Sequence, residues 1–135
     1  MSERLQPFEI SSARASDTLT FKVRGIVTSE GISDALRREM SETPVNNIVW
    51  DLSQASLSSL QPDELSAIAT CAKQFEPMRS RPRTAIIVSS SADAVFMRLY
   101  EAVAEKVDLH TTFRIVDSQE EALAWIAEDT SAPAD

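Results

Sequence analysis

Apolar residues along this chain switch repeatedly between a two-residue and a three-to-four-residue period. Leu19, Phe21 and Val23 alternate with Thr20, Lys22 and Arg24, the pattern of a strand with one wet face. FEISSA (8–13) precedes it across the polar ASDT, and the pair predicts a hairpin. Ile32, Ala35, Leu36 and Met40 then recur at helical spacing behind Ser29, a suitable N-cap, and Pro44 ends that helix. Ile48, Val49 and Trp50 form an uninterrupted apolar run, as expected of a strand covered on both faces, which predicts a buried, structural Trp50.

A serine-rich segment follows, and Pro62 with Asp63 and Glu64 opens a second helix, where a fixed φ and acidic side chains suit the first turn. Its stripe is Leu65, Ile68, Ala69, Ala72 and Phe75. EPMRSRPR reads as a solvated linker to the strand TAIIVS (84–89). Ser90 or Ser91 caps a third helix, with Val95, Phe96, Leu99, Val103 and Val107 expected inside. TFRIVD (112–117) is the last strand, and Ser118 with Glu121 forms a capping box before Ala122, Leu123 and Ile126.

The order β-β-α-β-α-β-α-β-α predicts an α/β fold, a mostly parallel mixed sheet of about five strands with about four helices, in which the first hairpin adds an antiparallel edge. One domain is expected over 8–127, after an N-terminal extension (1–7) and before a polar, disordered tail (128–135).

Charge narrows the partners. With 13 Lys and Arg against 21 Asp and Glu, the net charge is -8, which opposes nucleic-acid phosphates and anionic membranes. No apolar run approaches the ~20 residues of a membrane span, and the first residues lack a signal-peptide layout. A cytoplasmic location without membrane insertion is therefore expected. Cys71, the single cysteine, borders an apolar helical face and reads as a small packed side chain.

Little in the chain suits catalysis. One His and one Cys leave no nucleophile-base pair and no zinc set, and two glycines exclude a phosphate-binding Gly-rich loop. His110 falls before the last strand, far from the loops at the strand carboxyl ends. No cofactor or metal and no enzymatic activity are expected. What converges at those carboxyl ends is polar: Asp51 and Ser53, Ser58 and Ser59, Ser89, Ser90 and Ser91, then Asp117 and Ser118. That edge is the expected binding site, with Asp51 and Asp117 ending adjacent strands; the same residue types also serve simply as turns and caps. Arg79, Arg81 and Arg83 form the single basic cluster, at the other end of the sheet.

The segments IVWDLS (48–53), TAIIVSS (84–90) with RLYEAVAE (98–105), and FRIVDSQEEALAWI (113–126) resemble the STAS domains of the SpoIIAA type, and more closely the SpoIIAA-like STAS/SEC14-type single-domain bacterial proteins. The resemblance covers about residues 8–126 and implies a non-enzymatic regulatory module that binds a protein partner or small ligand. In phosphorylatable members an Asp-Ser-Ser/Thr-Gly motif follows the Asp-ending strand. Here the corresponding positions read Ser59-Leu60-Gln61-Pro62, so the phosphoacceptor is missing unless a gap of one or two residues brings Ser58 or Ser59 into its place. The resemblance also carries an alternative, a SEC14-like carrier of an apolar, lipid-like ligand with Trp50, Phe96, Met97 and Tyr100 about its cavity. Surplus apolar surface at Met97 and Tyr100, or the edge strand at Phe8, further predicts a homodimer.

Overall fold

The computed structural model describes residues 8–128. The N-terminal extension (1–7) and most of the expected tail (129–135) lie outside the described residues, and Glu128 closes the last helix instead of opening the tail. Five strands, β1 (Glu9–Ala15), β2 (Thr18–Ile26), β3 (Asn47–Ser56), β4 (Arg83–Ile87) and β5 (Thr112–Val116), lie side by side in chain order. β1 runs antiparallel to β2, and every later pairing is parallel. Between them come α1 (Ser29–Glu42), α2 (Pro62–Phe75) with a short 3-10 turn over Glu76–Met78, α3 (Ser91–Lys106) and α4 (Gln119–Glu128). This is the α/β architecture that the alternating periods predict.

Strand side chains alternate between two unequal cores. Leu19, Phe21, Val23, Ile48, Leu52 and Ile86 face α1, α2 and α3 and form the larger core with Leu36, Met40, Leu65 and Phe75. Val49, Ala85, Ile87 and Val116 face the other way, onto Ala122 and Ile126 of α4. A strand buried on both sides must be apolar at successive positions, which is why β3 and β4 read as continuous runs while β2, bare beyond the reach of α4, alternates.

Several helix ends and phases differ from the sequence reading. Thr28, not Ser29, caps α1, its side-chain oxygen accepting from the Gly31 amide at 3.0 Å. In α3 the buried residues are Met97, Tyr100 and Ala104, while Val95 and Leu99 point outward at 67% and 41% exposure. The apolar arc of α3 is broad, so spacing alone admits two stripes. Packing selects the one in which Ala104 allows close approach and Tyr100 meets Phe113 edge-on, with centroids 5.6 Å apart. Leu123 of α4 is likewise 42% exposed. Met97 and Tyr100 are therefore buried within the subunit and are not the surplus apolar surface that the sequence predicts.

Trp50 is half-buried instead of enclosed. It stacks on Phe21, its register partner in β2, with centroids 4.1 Å apart and planes 12° from parallel. Trp50→Ala should therefore cost about 2–3 kcal/mol, less than the ~3–5 kcal/mol of a fully enclosed aromatic. Urea melts with an unchanged m-value check this, and a loss under about 1 kcal/mol would show that the stack contributes little.

Candidate functional site

β3 does not stop at Asp51. From Lys22 to Arg24 β2 advances two residues while β3 advances three, from Asp51 to Gln54, and the extra residue is a β-bulge. The Asp51 carboxylate holds it, accepting from the Ser53 amide at 3.1 Å and from the Ser53 hydroxyl at 2.6 Å. Strand β3 then continues to Ser56 against β2 alone, past the end of β4, whose Ile87 is level with Asp51. Asp117 follows β5, and β4 lies between β5 and β3, so Asp51 and Asp117 share a sheet end but not adjacent strands. The expectation of adjacency fails because β3 is central and each later strand adds outward.

The segment after β3 is a turn with two anchors. The Leu60 amide donates to the Leu57 carbonyl at 3.1 Å, and both leucines are buried, leaving Ser58 and Ser59 exposed at the tip. α2 then begins with its positive end already occupied, because the Glu64 carboxylate accepts from the Gln61 amide at 2.8 Å. Leu60 is buried in the core.

Along the same sheet end, Ser90 is the cap of α3 and accepts from the Asp93 amide, flanked by exposed Ser89 and Ser91. Ser118 caps α4 through the Glu121 amide, and Asp117 is exposed beside it. Thus Ser90 and Ser118 are engaged as caps and Asp51 with Ser53 as a bulge clasp. Ser58, whose hydroxyl is hydrogen-bonded to that of Ser56 at 2.9 Å, is exposed with Ser59, Ser89, Ser91 and Asp117.

Of the four apolar candidates, Trp50, Met97 and Tyr100 line one interior cavity of about 70 Å³ between the sheet and α1–α3. Phe96 packs half-buried against the core and is not among the lining residues. Leu57 and Leu60 border the cavity, as do Arg79, Thr84 and Thr111 from the strand amino ends.

Arg79 is the residue that sequence reasoning missed. Instead of joining a solvated basic loop it is 6% exposed, its Nε donating to the Val45 carbonyl at 3.0 Å and its Nη2 to the carbonyls of Asn46 and Arg83 at 2.7 and 3.0 Å. Arg83, also read as solvated, donates to the Trp125 and Ile126 carbonyls at the end of α4 and lies 5.4 Å over the Trp125 ring. Three alternating arginines carry no period that separates inward from outward. Burial lowers the Arg79 pKa to about 10 against the opposing pull of Glu76 and Asp17, so it stays cationic at neutral pH.

Burial, foremost, pushes the Tyr100 phenol above its ordinary pKa of 10.0, opposed by Arg79. An unfolded phenol ionises from about pH 10 while the folded one keeps its proton, so this stabilisation is complete below pH 10 and is lost as pH rises further. The stability difference between the native protein and Tyr100→Phe should shrink by about 1.4 kcal/mol per pH unit above pH 10. The opposite effect of Arg79 is common to both proteins. Parallel urea melts from pH 8 to 11 measure it, and a pH-independent difference would contradict the burial of the phenol.

Among the described residues no cluster of three or more His, Cys, Asp or Glu is placed to hold a metal ion, and no helix is long and apolar enough to cross a membrane. No protein-family model matches the chain, and no curated protein matches it in sequence. Solved structures do. An anti-sigma factor antagonist from Mycobacterium paratuberculosis superposes with a TM-score of 0.66 at 13% identity, covering 90% of this chain and 95% of that one. An uncharacterized protein with a SpoIIAA-like fold from Shewanella loihica PV-4 gives 0.58 at 23% identity, over 93% and 98%. The five-stranded mixed sheet with its four helices is the SpoIIAA-like fold, the architecture on which an anti-sigma factor antagonist is also built.

Proposed function

We propose that this chain is a non-enzymatic regulatory module that binds a protein partner at the strand carboxyl end, through the Ser58–Ser59 turn and the neighbouring loops at Ser89, Ser91 and Asp117. The observation that carries the reading is the turn itself. Leu57 and Leu60 fix it to the core while both serines are left exposed, so it is a rigid polar surface whose ordering cost is met before a partner arrives. The likeness to an anti-sigma factor antagonist over nearly the whole chain supports a partner-binding role at the level of fold.

The same turn argues against a phosphorylation switch on the pattern of the phosphorylatable relatives. Leu60 takes the aligned position, and Glu64 already caps the helix end that a phosphate would otherwise find. The carrier alternative needs a cavity of ~300–1,000 Å³ for a drug-sized or lipid-like ligand, whereas the interior offers about 70 Å³.

A photo-crosslinking residue placed at Ser58 or Ser91, in protein expressed in its own host, should give a discrete heterologous adduct that the same residue at Leu123 on α4 does not. Ser58→Arg should reduce the adduct formed at position 91 without altering the melting temperature. Phosphate recovered on Ser58 or Ser59, or equal crosslinking from all three positions, would overturn the proposal.

A further inference from the structure

Packing uses one of the two apolar stripes of α3 and leaves the other outside. Ala92, Val95, Leu99 and Ala102 recur at spacings of three and four and so share one face of the helix. All four are exposed, Val95 at 67% and Leu99 at 41%. Lys106, also exposed, continues the row at the carboxyl end. Half-buried Phe96 and Val103 follow Val95 and Ala102 along the chain and border the stripe on one side. Exposed Arg98 and Glu105 precede Leu99 and Lys106 and border it on the other. Neither Arg98 nor Glu105 forms an ion pair among the described residues.

An exposed apolar stripe calls for a cover, and this one is complementary to itself in a single orientation. With a second α3 laid antiparallel and the two-fold axis level with Tyr100 and Glu101, Leu99 packs over the second copy's Ala102 and Val95 over the aliphatic stem of its Lys106. Phe96 then lies beside the second copy's Val103, and Arg98 faces its Glu105. The two-fold repeats every contact. Large residues meet small ones along the seam, an apolar pair closes one side, and opposite charges close the other. A parallel pairing would instead set Arg98 and Glu105 against Phe96 and Val103, leaving the charges unmatched. We propose that the outer face of α3 is an interface for a second copy of this chain, forming a two-fold antiparallel helix pair. A single pair of 16-residue helices stands at the small end of specific interfaces, below about 1,200 Å² in total, so the dimer should be reversible in the micromolar range. Each subunit carries a net charge of -8, so the apolar seam must supply the attraction while salt screens the repulsion. The antiparallel arrangement places the two Ser58–Ser59 turns at opposite ends of the pair, and the pairing does not rest on the partner binding proposed there.

Sedimentation equilibrium of the full chain across micromolar concentrations at about 0.15 M salt tests the proposal. The native chain should show a reversible monomer–dimer equilibrium. Leu99→Glu, at an exposed position, should keep the melting temperature and remove the dimer. Arg98→Glu and Glu105→Arg each turn both ion pairs into like-charge contacts, and each should weaken the dimer by about tenfold. Mixed in equal amounts, these two variants should associate with one another about as well as the native chain, because every rim contact is again between opposite charges. Effects within one helix, such as the lost attraction between Arg98 and Glu101, are unchanged by mixing. The charge-reversed pair decides the matter if Leu99→Glu is unfolded by circular dichroism. A monomer at every concentration, a dimer that a folded Leu99→Glu leaves intact, or a mixture that associates no better than either variant alone would each overturn the assignment.

Discussion

One buried guanidinium fixes the amino end of the sheet. Arg79 reaches from the segment after α2 to carbonyls at Val45 and Asn46, just before β3, and at Arg83, where β4 begins. Its three acceptors lie beside the first residues of β3 and β4, which pair in register from Asn47 with Arg83 to Asp51 with Ile87. The positive charge costs solvation, which three carbonyls offset only in part, and the lowered pKa records the deficit. Removing Arg79 would also leave carbonyl oxygens without their donors. The same guanidinium gives the nearby cavity its polarity, so the packing of the sheet and the chemistry of the interior share one residue.

The opposite end of the sheet is organised by short-range devices. Asp51 satisfies the amide that the β3 bulge releases, Ser90 and Ser118 cap helices, and Glu64 closes the start of α2. Each satisfies a backbone donor that would otherwise lack a partner. Residue types suited to binding anions are thus largely engaged in holding the chain. The surface left for recognition is set by the side chains these devices do not use.

Strand and helix order were legible because each element buries a different number of faces. β2 is wet on one side and alternates; β3 and β4 are covered twice and do not. Residues whose role depends on long-range geometry were not legible. The outward turn of Val95 and Leu99 depends on which side of α3 can approach the sheet, and the burial of Arg79 depends on carbonyls 33 and 34 residues away. Of the candidate site, the exposed serines and Asp117 follow from turn chemistry. The relation of Asp51 to Asp117 needed the strand order, and the place of Arg79 and Tyr100 beside the cavity needed the packed interior.

Cations also finish three of the four helices from outside. Arg14 of β1 donates to the Glu39 and Thr43 carbonyls at the end of α1, Lys73 of α2 to Val107 and Asp108 after α3, and Arg83 of β4 to Trp125 and Ile126 in α4. Neither α1 nor α4 has a basic residue of its own in the last turn. A carbonyl cluster at a helix end is electronegative, and in α1 and α4 its neutralising charge arrives only with a neighbouring element. These helices therefore reach full length as a consequence of assembly, which couples helix propagation to docking and leaves a partly assembled chain with frayed, unshielded ends.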